Sequence, residues 1–551
     1  MNGWRQPADD DNPGMKKLRA FIRIKPFIGV LALGFLVVLA GGALLALALE
    51  GGGSGFQAAT NFDAYLWRVA RFTVLQAIAS SMLSIAFAIP VARALHAQTH
   101  FPGRAFILRL FALPLALPAL VAVLGITSIY GRNGLLASVF ATAGYSLQPD
   151  IYGLSGILIA HVFFNMPLAV RFILAAYESI PTDYWKLSAQ LGMDSRARFR
   201  LIEWPVIRRS LPGMMGLIFM LCVTSFTIVL TLGGGPRATT LEVAIYQSLH
   251  FDFDPSRAVA LTATQLAITL LILLSLHLTG RPSEEGFTHR ATAQRFEQPS
   301  RGESAFNITI ILIGFLYVAL PIAGVVISGL AADLVRLLRE RVVWRAIATS
   351  LALGFSAAIL SVLLSLALVS AREATRSRKM ANSFDTGPSL ILVMPPIVIG
   401  AGWFLLLRHF TNPFIMAPFM VVTVNAAMAM PFAVRLLRPA WDTAAARHNR
   451  LCAQLGITGI NRLRLIDWPS IRKPFGMAFA FAMALSIGDL GTIALFGSDS
   501  LMTLPYLLLQ RMGSYRTFDA AGLALILGLF CLTLMMIADR AATSAKETPA
   551  P

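Results

Sequence analysis

Apolar residues run through this chain in long unbroken blocks, with polar residues gathered into short segments between them. The hydrocarbon core of a bilayer takes about 20 apolar residues per helix. Blocks of that length recur near 27–49, 69–92, 107–130, 152–177, 211–232, 257–279, 305–330, 346–370, 388–408, 415–437, 474–496 and 518–538. They are continuous rather than alternating in a period of two, so helices and not barrel strands are expected. The pattern predicts an all-α polytopic membrane protein of about twelve transmembrane helices, six in each half. The blocks 388–408 and 415–437 are the least cleanly separated, because RHFTNP is a short break.

One polar segment occurs twice. AQLGMDSRARFRLIEWP at 189–205 is matched by AQLGITGINRLRLIDWP at 453–469, an offset of 264 without a gap. MPLAVR (166–171) and MPFAVR (430–435) keep that offset, as do Gly233 and Gly497. Upstream the register drifts, as PVARAL (90–95) against LVSARE (368–373) illustrates. Between the halves, 280–304 is polar and rich in Pro, Gly and Ser, and reads as a solvated linker. With six spans per half, the two repeats enter the membrane in the same orientation, related by an approximate two-fold along its normal, with a pathway between them. The expected organisation is a tail (1–26), an anchor helix (27–56), a first transmembrane domain (57–279), the linker (280–304), an additional helix (305–330), a second domain (331–540) and a tail (541–551).

Composition agrees with this reading: of 551 residues 13% are charged, against roughly a quarter in soluble chains. The net charge of +18 raises nucleic acid as a partner, but its placement answers otherwise. With the N-terminus inside, roughly three quarters of the 46 Lys and Arg fall on the inner side, the positive-inside pattern. Both copies of the repeated segment, and both termini, are therefore expected in the cytoplasm. One outer segment, DLVRLLRERVVWR (333–345), is basic and reads as an amphipathic surface helix. The first block follows MKKLRAFIRIK, like a signal peptide, yet it exceeds the about 7–15 residues of a secretory apolar region and no convincing cleavage site follows, so an uncleaved anchor is expected. Cys222, Cys452 and Cys531 are too few and too scattered for a disulfide framework or a metal site.

Within the first repeated loop, Tyr184, Leu187, Ser188 and Leu191 fall at i, i+3, i+4 and i+7 on one helical face; His448, Leu451, Cys452 and Leu455 fall likewise in the second. Gly192 and Gly456 follow where a helix ends in a left-handed residue. Asp194 and Thr458 can cap the helix that comes next. The expectation is a helix–turn–helix with a small apolar ridge. A single such loop would more readily pack on its own helix ends; the duplicated spacing favours a groove on a partner.

The pattern Gly192…Ile202-Glu203-Trp204-Pro205 and Gly456…Ile466-Asp467-Trp468-Pro469 resembles the EAA loop of bacterial binding-protein-dependent ABC-importer permeases. That resemblance implies an ABC transmembrane type-1 (MetI-like) fold in each half of a fused pseudo-dimer lying in inner-membrane lipid. It also implies two copies of a cytoplasmic ATPase that binds ATP and Mg, and a periplasmic substrate-binding protein. Carried onto this chain, the ATPase-coupling residues are Tyr184, Lys186, Leu187, Ser188, Leu191, Gly192, Ile202 and Pro205, with His448, Arg450, Leu451, Cys452, Leu455, Gly456, Ile466 and Pro469. Where the family often carries Glu-Ala-Ala, this chain has Lys186-Leu187-Ser188 and Arg450-Leu451-Cys452, so an ATPase surface of opposite charge is implied. YGRNGLL (130–136), HVFFNMPLAVR (161–171), LGGGPRATTLEVAIYQSL (232–249), SIGDLGTIALFG (486–497) and GSYRTFDAAGLALIL (513–527) resemble more closely the fused permeases of thiamine importers. Ferric-iron permeases share the fused arrangement and supply the alternative substrate.

The chain itself carries no nucleotide-binding motif: no lysine follows a glycine, as a phosphate-cradling loop requires, and GGGSG (51–55) falls on the outer side. It reads as a transport subunit and not an enzyme, with no cofactor of its own. Asp489 is the one acid placed well inside a span, where a charge is costly; a structural or gating role is preferred over contact with a cationic substrate. His161 and Asn425 stand at the same offset, with Asn165 one turn on, and are candidates to line the pathway or to hydrogen-bond between packed helices. Asp252 and Asp254, in HFDFDPSRA (250–258), face either a binding protein or plain solvent. A secondary transporter would place coupling acids near the midplane, and an intramembrane aspartyl protease needs two carboxylates at one site. Neither pattern is apparent.

Overall fold

The computed structural model describes residues 13–50, 63–99, 101–132, 134–145, 150–279, 301–375, 377–457 and 459–543. Thr458, GGGSG and nearly all of the expected linker lie outside the described residues. Those described form helices and turns without a strand.

In chain order the helices that matter here are α1 (Pro13–Glu50), α2 (Ala64–Ala97), α3 (Ala119–Tyr130), α4 (Leu154–Glu178), α5 (Thr182–Gln190), α6 (Trp204–Val223), α7 (Phe226–Leu232), α8 (Leu241–His250) and α9 (Pro255–Thr279). They continue as α10 (Arg301–Leu330), α11 (Arg341–Ala374), α12 (Arg378–Leu390), α13 (Pro396–Leu407), α14 (Ala417–Gln454), α15 (Trp468–Gly488), α16 (Gly491–Phe496), α17 (Leu504–Gly513) and α18 (Thr517–Thr543).

Ten helical stretches among the described residues are long and apolar enough to cross a membrane, or eleven if the segment 378–407, bent by 82°, is counted as one more. The apolar pattern predicts about twelve spans, and the differences have local causes. The block 474–496 is interrupted at Asp489, which leaves the helix in an extended conformation (φ −71°, ψ 130°). Its carboxylate accepts the N–H groups of Gly491 and Thr492, both at 3.2 Å, and so caps α16. Such local side-chain bonds compete with helix continuation. The block 211–232 breaks at the matching place, between α6 and α7. Pro114 and Pro118 divide 107–130 into a short helix (Arg104–Leu110) and α3, because proline lacks an N–H and clashes with the preceding turn. In the basic segment 333–345, only Leu334–Arg339 forms a separate short helix before α11 begins. Arg336 there pairs with Glu340 (3.1 Å) and Asp519.

The described chain divides into two compact units that interleave the sequence halves. The larger unites Glu50–Trp344 with Leu504–Leu529; the smaller unites residues up to Leu49 with Arg345–Thr503 and the segment from Phe530 onward. In the larger unit α2 packs along α4, and α10 lies on α3 and α2. Small residues let these helices approach: a Cβ on Gly125 would stand 2.2 Å from the carbonyl oxygen of Pro321 on α10. In the smaller unit α14 packs on α15 and α13 on α16. There α1 closes on α13, where Gly402 meets the backbone of Ala43 and the Trp403 indole N–H donates to the Leu39 carbonyl at 2.8 Å. Close approach of this kind, rather than exclusion of water, is what holds helices together in lipid. The larger unit thus takes in helices of the second sequence half, α10, α17 and much of α18, and the smaller takes in α1 of the first.

Candidate functional site

Among the described residues the two repeated loops share their turn and the helical segments that follow it. In the larger unit α5 ends at Leu191–Gly192, a one-turn helix follows (Ser195–Arg198), a widened π-helical turn spans Phe199–Glu203, and α6 begins at Trp204. In the smaller unit α14 ends at Gln454, followed by Gly459–Arg462, a π turn over Leu463–Asp467, and α15 from Trp468. Gly192 (φ +61°) and Gly456 (φ +64°) both occupy the left-handed region. Each turn is closed by a six-residue backbone bond, Met193 N–H to the Ser188 carbonyl and Ile457 N–H to that of Cys452, both 3.0 Å. This is a Schellman ending, which glycine makes without strain. Asp194 accepts the Ala197 N–H at 2.8 Å, capping the short helix as expected.

The π turns also follow from sequence. Pro205 and Pro469 would press on the carbonyls of Leu201 and Leu465 in an ordinary α-turn. Widening relieves that: the Trp204 and Trp468 N–H groups reach back five residues to the Phe199 and Leu463 carbonyls.

Tyr184, Leu187 and Leu191 are 56%, 50% and 67% exposed, and Leu451 and Leu455 48% and 63%. They form the apolar ridge expected, with Lys186 and Arg450 exposed beside them. Ser188 and Cys452 do not belong to it. Both are buried, and Ser188 Oγ donates back to the Trp185 carbonyl at 2.9 Å. The inward face of α5 is set by Trp185, only 1% exposed, whose ring lies 5.1 Å from His96, itself 4.8 Å from Tyr177. His448 is half-buried and its ring nitrogen contacts the Ala444 carbonyl of its own helix at 3.1 Å. Ile202 and Ile466 are half-buried in the two π turns, and Pro205 and Pro469 are exposed in the first turn of α6 and α15.

Beneath the ridges lie ion pairs that were not singled out from the sequence. In the larger unit Arg93 of α2 donates to the fully buried Glu203 (2.8 Å) and to Ser195 Oγ (2.8 Å), with its guanidinium 4.9 Å above the Phe199 ring. Arg198 pairs with Glu303 of α10 at 3.3 Å, and Gln98 donates to Ser304 of the same helix at 2.9 Å. In the smaller unit Arg462 pairs with Asp467 (3.3 Å) and with Glu373 of α11 (3.3 Å). Glu373 also accepts from Trp441 (2.9 Å) and Asn449 (3.0 Å) and pairs with Lys25 of α1 (3.8 Å). Burial works against the Arg462 charge, but Asp467 and Glu373 outweigh it and hold the guanidinium above its usual value. Arg198 and Arg462, like Glu203 and Asp467, stand 264 residues apart, so the repeat itself was the signal for them.

The candidate pathway residues are engaged within their own units. His161 Nδ1 lies 2.9 Å from Ser80 Oγ, and Asn165 donates to Cys222 Sγ at 3.3 Å, all buried between α2, α4 and α6. Asn425 donates to Ser486 Oγ at 2.9 Å and accepts from Thr492 at 3.5 Å. These are helix-to-helix hydrogen bonds, with Asp489 as the cap of α16. Asp254 caps α9 through the Arg257 N–H (3.1 Å), and Asp252 is exposed.

Described residues that are all helix and turn, with at least ten helices of membrane length and two matching polar loops, make a multi-pass membrane protein. No family model matches it. It is 80% identical over 523 residues, 95% of this chain and 96% of the relative, to the thiamine transport system permease protein of Brucella abortus (strain 2308). Identity to the protein of that name from Escherichia coli (strain K12) is 43% over 484 residues, 87% of this chain and 89% of the relative. It is also similar, at 26% over 261 residues, to a sulfate transport system permease protein of Synechococcus elongatus, covering 46% of this chain but 90% of that one. The chain belongs to the thiamine transport system permease family.

Proposed function

We propose that this chain is the membrane subunit of an ATP-driven ABC importer in the bacterial inner membrane, carrying thiamine or its phosphate esters inward from a periplasmic binding protein. Both termini and both repeated loops lie in the cytoplasm. Each loop seats its ridge, Tyr184, Leu187 and Leu191 in one and Leu451 and Leu455 in the other, in a groove on one of two ATPase copies that hold ATP and Mg. The observation that carries this reading is the duplicated ridge: exposed leucines beside two turns with the same left-handed glycine and the same six-residue backbone bond, each rooted by partly buried ion pairs. An exposed apolar surface on a rigid base is what a partner's groove recognises. The names of the relatives support thiamine as the cargo.

The mechanism follows from the rooting. ATP binding draws the ATPase pair together, each loop moves with its ATPase, and the buried pairs carry that motion into the helices, which switch access from one side to the other. Uptake of labelled thiamine in transport-null cells expressing the chain with its ATPase and binding protein tests this. Thiamine accumulation that stops when the ATPase is inactivated is expected. Accumulation of ferric iron and not thiamine, or uptake indifferent to the ATPase, would overturn it.

A further inference from the structure

Each loop arginine at the repeated position reaches a carboxylate on a different helix, and each connection ends on a helix contributed by the other sequence half. Arg198, with only 8% of its side chain exposed, pairs with Glu303 at the start of α10, and the Gln98–Ser304 bond fastens that same helix end to α2. Arg462 pairs with Glu373, which in turn pairs with Lys25 of α1. By sequence α10 opens the second half and α1 the first, yet α10 packs in the unit that carries the first loop and α1 in the unit that carries the second.

We infer that Arg198 with Glu303, and Arg462 with Glu373 and Lys25, are positioning residues that clamp each coupling loop to the helix lent by the opposite half. The inference rests on the coupling reading above. The ridge transmits force only if its base cannot rotate away from the bundle, and the clamps supply that restraint at the membrane end of the loop. The chemistry suits the task. Nη2 of Arg198 reaches both carboxylate oxygens of Glu303 (3.3 and 3.5 Å), and Arg462 divides its planar fork, Nε to Asp467 and Nη2 to Glu373, an orientation that a lysine ammonium does not fix; low exposure limits screening by solvent and salt. The crossed sequence origin gives the clamps a second consequence: motion imposed on one loop is delivered to a helix whose chain continues into the other half.

The test uses the full chain assembled with its ATPase and binding protein in liposomes, reading thiamine uptake and ATP hydrolysis together. Glu303→Gln lies outside the loop, leaves its ridge intact, and should lower uptake per ATP hydrolysed by about fivefold or more while ATP hydrolysis persists. The charge reversal Arg198→Glu should do the same, and the double reversal Arg198→Glu with Glu303→Arg should recover the ratio to within about twofold. If a reversal prevents assembly, Glu373→Gln and Glu303→Gln carry the test, since neutral isosteres keep the packing. An unchanged ratio in the Gln variants, or a double reversal no better than the single, would overturn the clamp. Failure of the unaltered chain to bind the ATPase at its loops would instead remove the coupling reading on which the clamp rests.

Discussion

Replacing the two turn glycines separates backbone geometry from every other property of the loops. An added Cβ at Gly192 or Gly456 meets no atom within 4 Å, so a side chain there fits without a clash. What it opposes is the left-handed conformation, φ +61° and +64°, which costs an L-residue about 1–2 kcal/mol, with a β-branched side chain at the upper end. One to two kcal/mol changes a conformational ratio by roughly 5–30-fold at each turn. Gly192→Val with Gly456→Val should therefore lower uptake per ATP hydrolysed by at least about fivefold, at normal protein level. Asparagine tolerates the left-handed region, so Gly192→Asn with Gly456→Asn should retain most of the uptake. The assay is labelled-thiamine uptake against phosphate release in liposomes. Equal uptake by the valine and asparagine pairs would refute the claim that these turns must be held in this geometry.

Trp185→Ala should destabilise the purified chain by about 3–5 kcal/mol, because the indole is buried against His96; thermal unfolding in detergent reads this, with the exposed Leu187→Ala as the control that leaves the transition in place. Glu203→Gln removes a buried carboxylate from Arg93; since Arg93 keeps some solvent contact, a loss of about 1–3 kcal/mol is expected, and no shift in the melting curve would contradict the pairing. Asp489→Ala deletes both cap bonds of α16 and should cost about 1 kcal/mol, whereas Asp489→Asn keeps one acceptor oxygen, hence one of the two bonds, and should cost less. Transport unchanged in Asp489→Asn at normal protein level would leave Asp489 a structural cap with no part in gating.

The all-helical architecture was legible because lipid leaves a long apolar block few alternatives to helix. The turns at Gly192 and Gly456 were legible because a left-handed residue after a helix is nearly a glycine signature, and the duplicate spacing pointed to both at once. Periodicity placed Ser188 with Leu187 and Leu191 on one stripe, but a nine-residue helix has room for two faces and Trp185 decides which of them turns inward. The break at Asp489 was hidden because apolar residues continue on both sides; the Gly-Asp-Leu-Gly run was the local sign that the chain leaves the helix there. Arg93 and Glu203 lie 110 residues apart and Arg198 and Glu303 lie 105. Pairings so distant are fixed by helix packing, which hydrophobic pattern alone does not specify.

The coupling role of the loops is tested most directly by site-specific crosslinking between each ridge and the ATPase. In a chain whose native Cys222, Cys452 and Cys531 are replaced by alanine, Leu187→Cys and Leu451→Cys are introduced one at a time into the assembled, transport-active complex. Each should join the ATPase subunit on mild oxidation when a cysteine is placed along its groove, with a yield that changes when ATP is bound. An active complex in which neither position ever reaches that subunit would contradict the account.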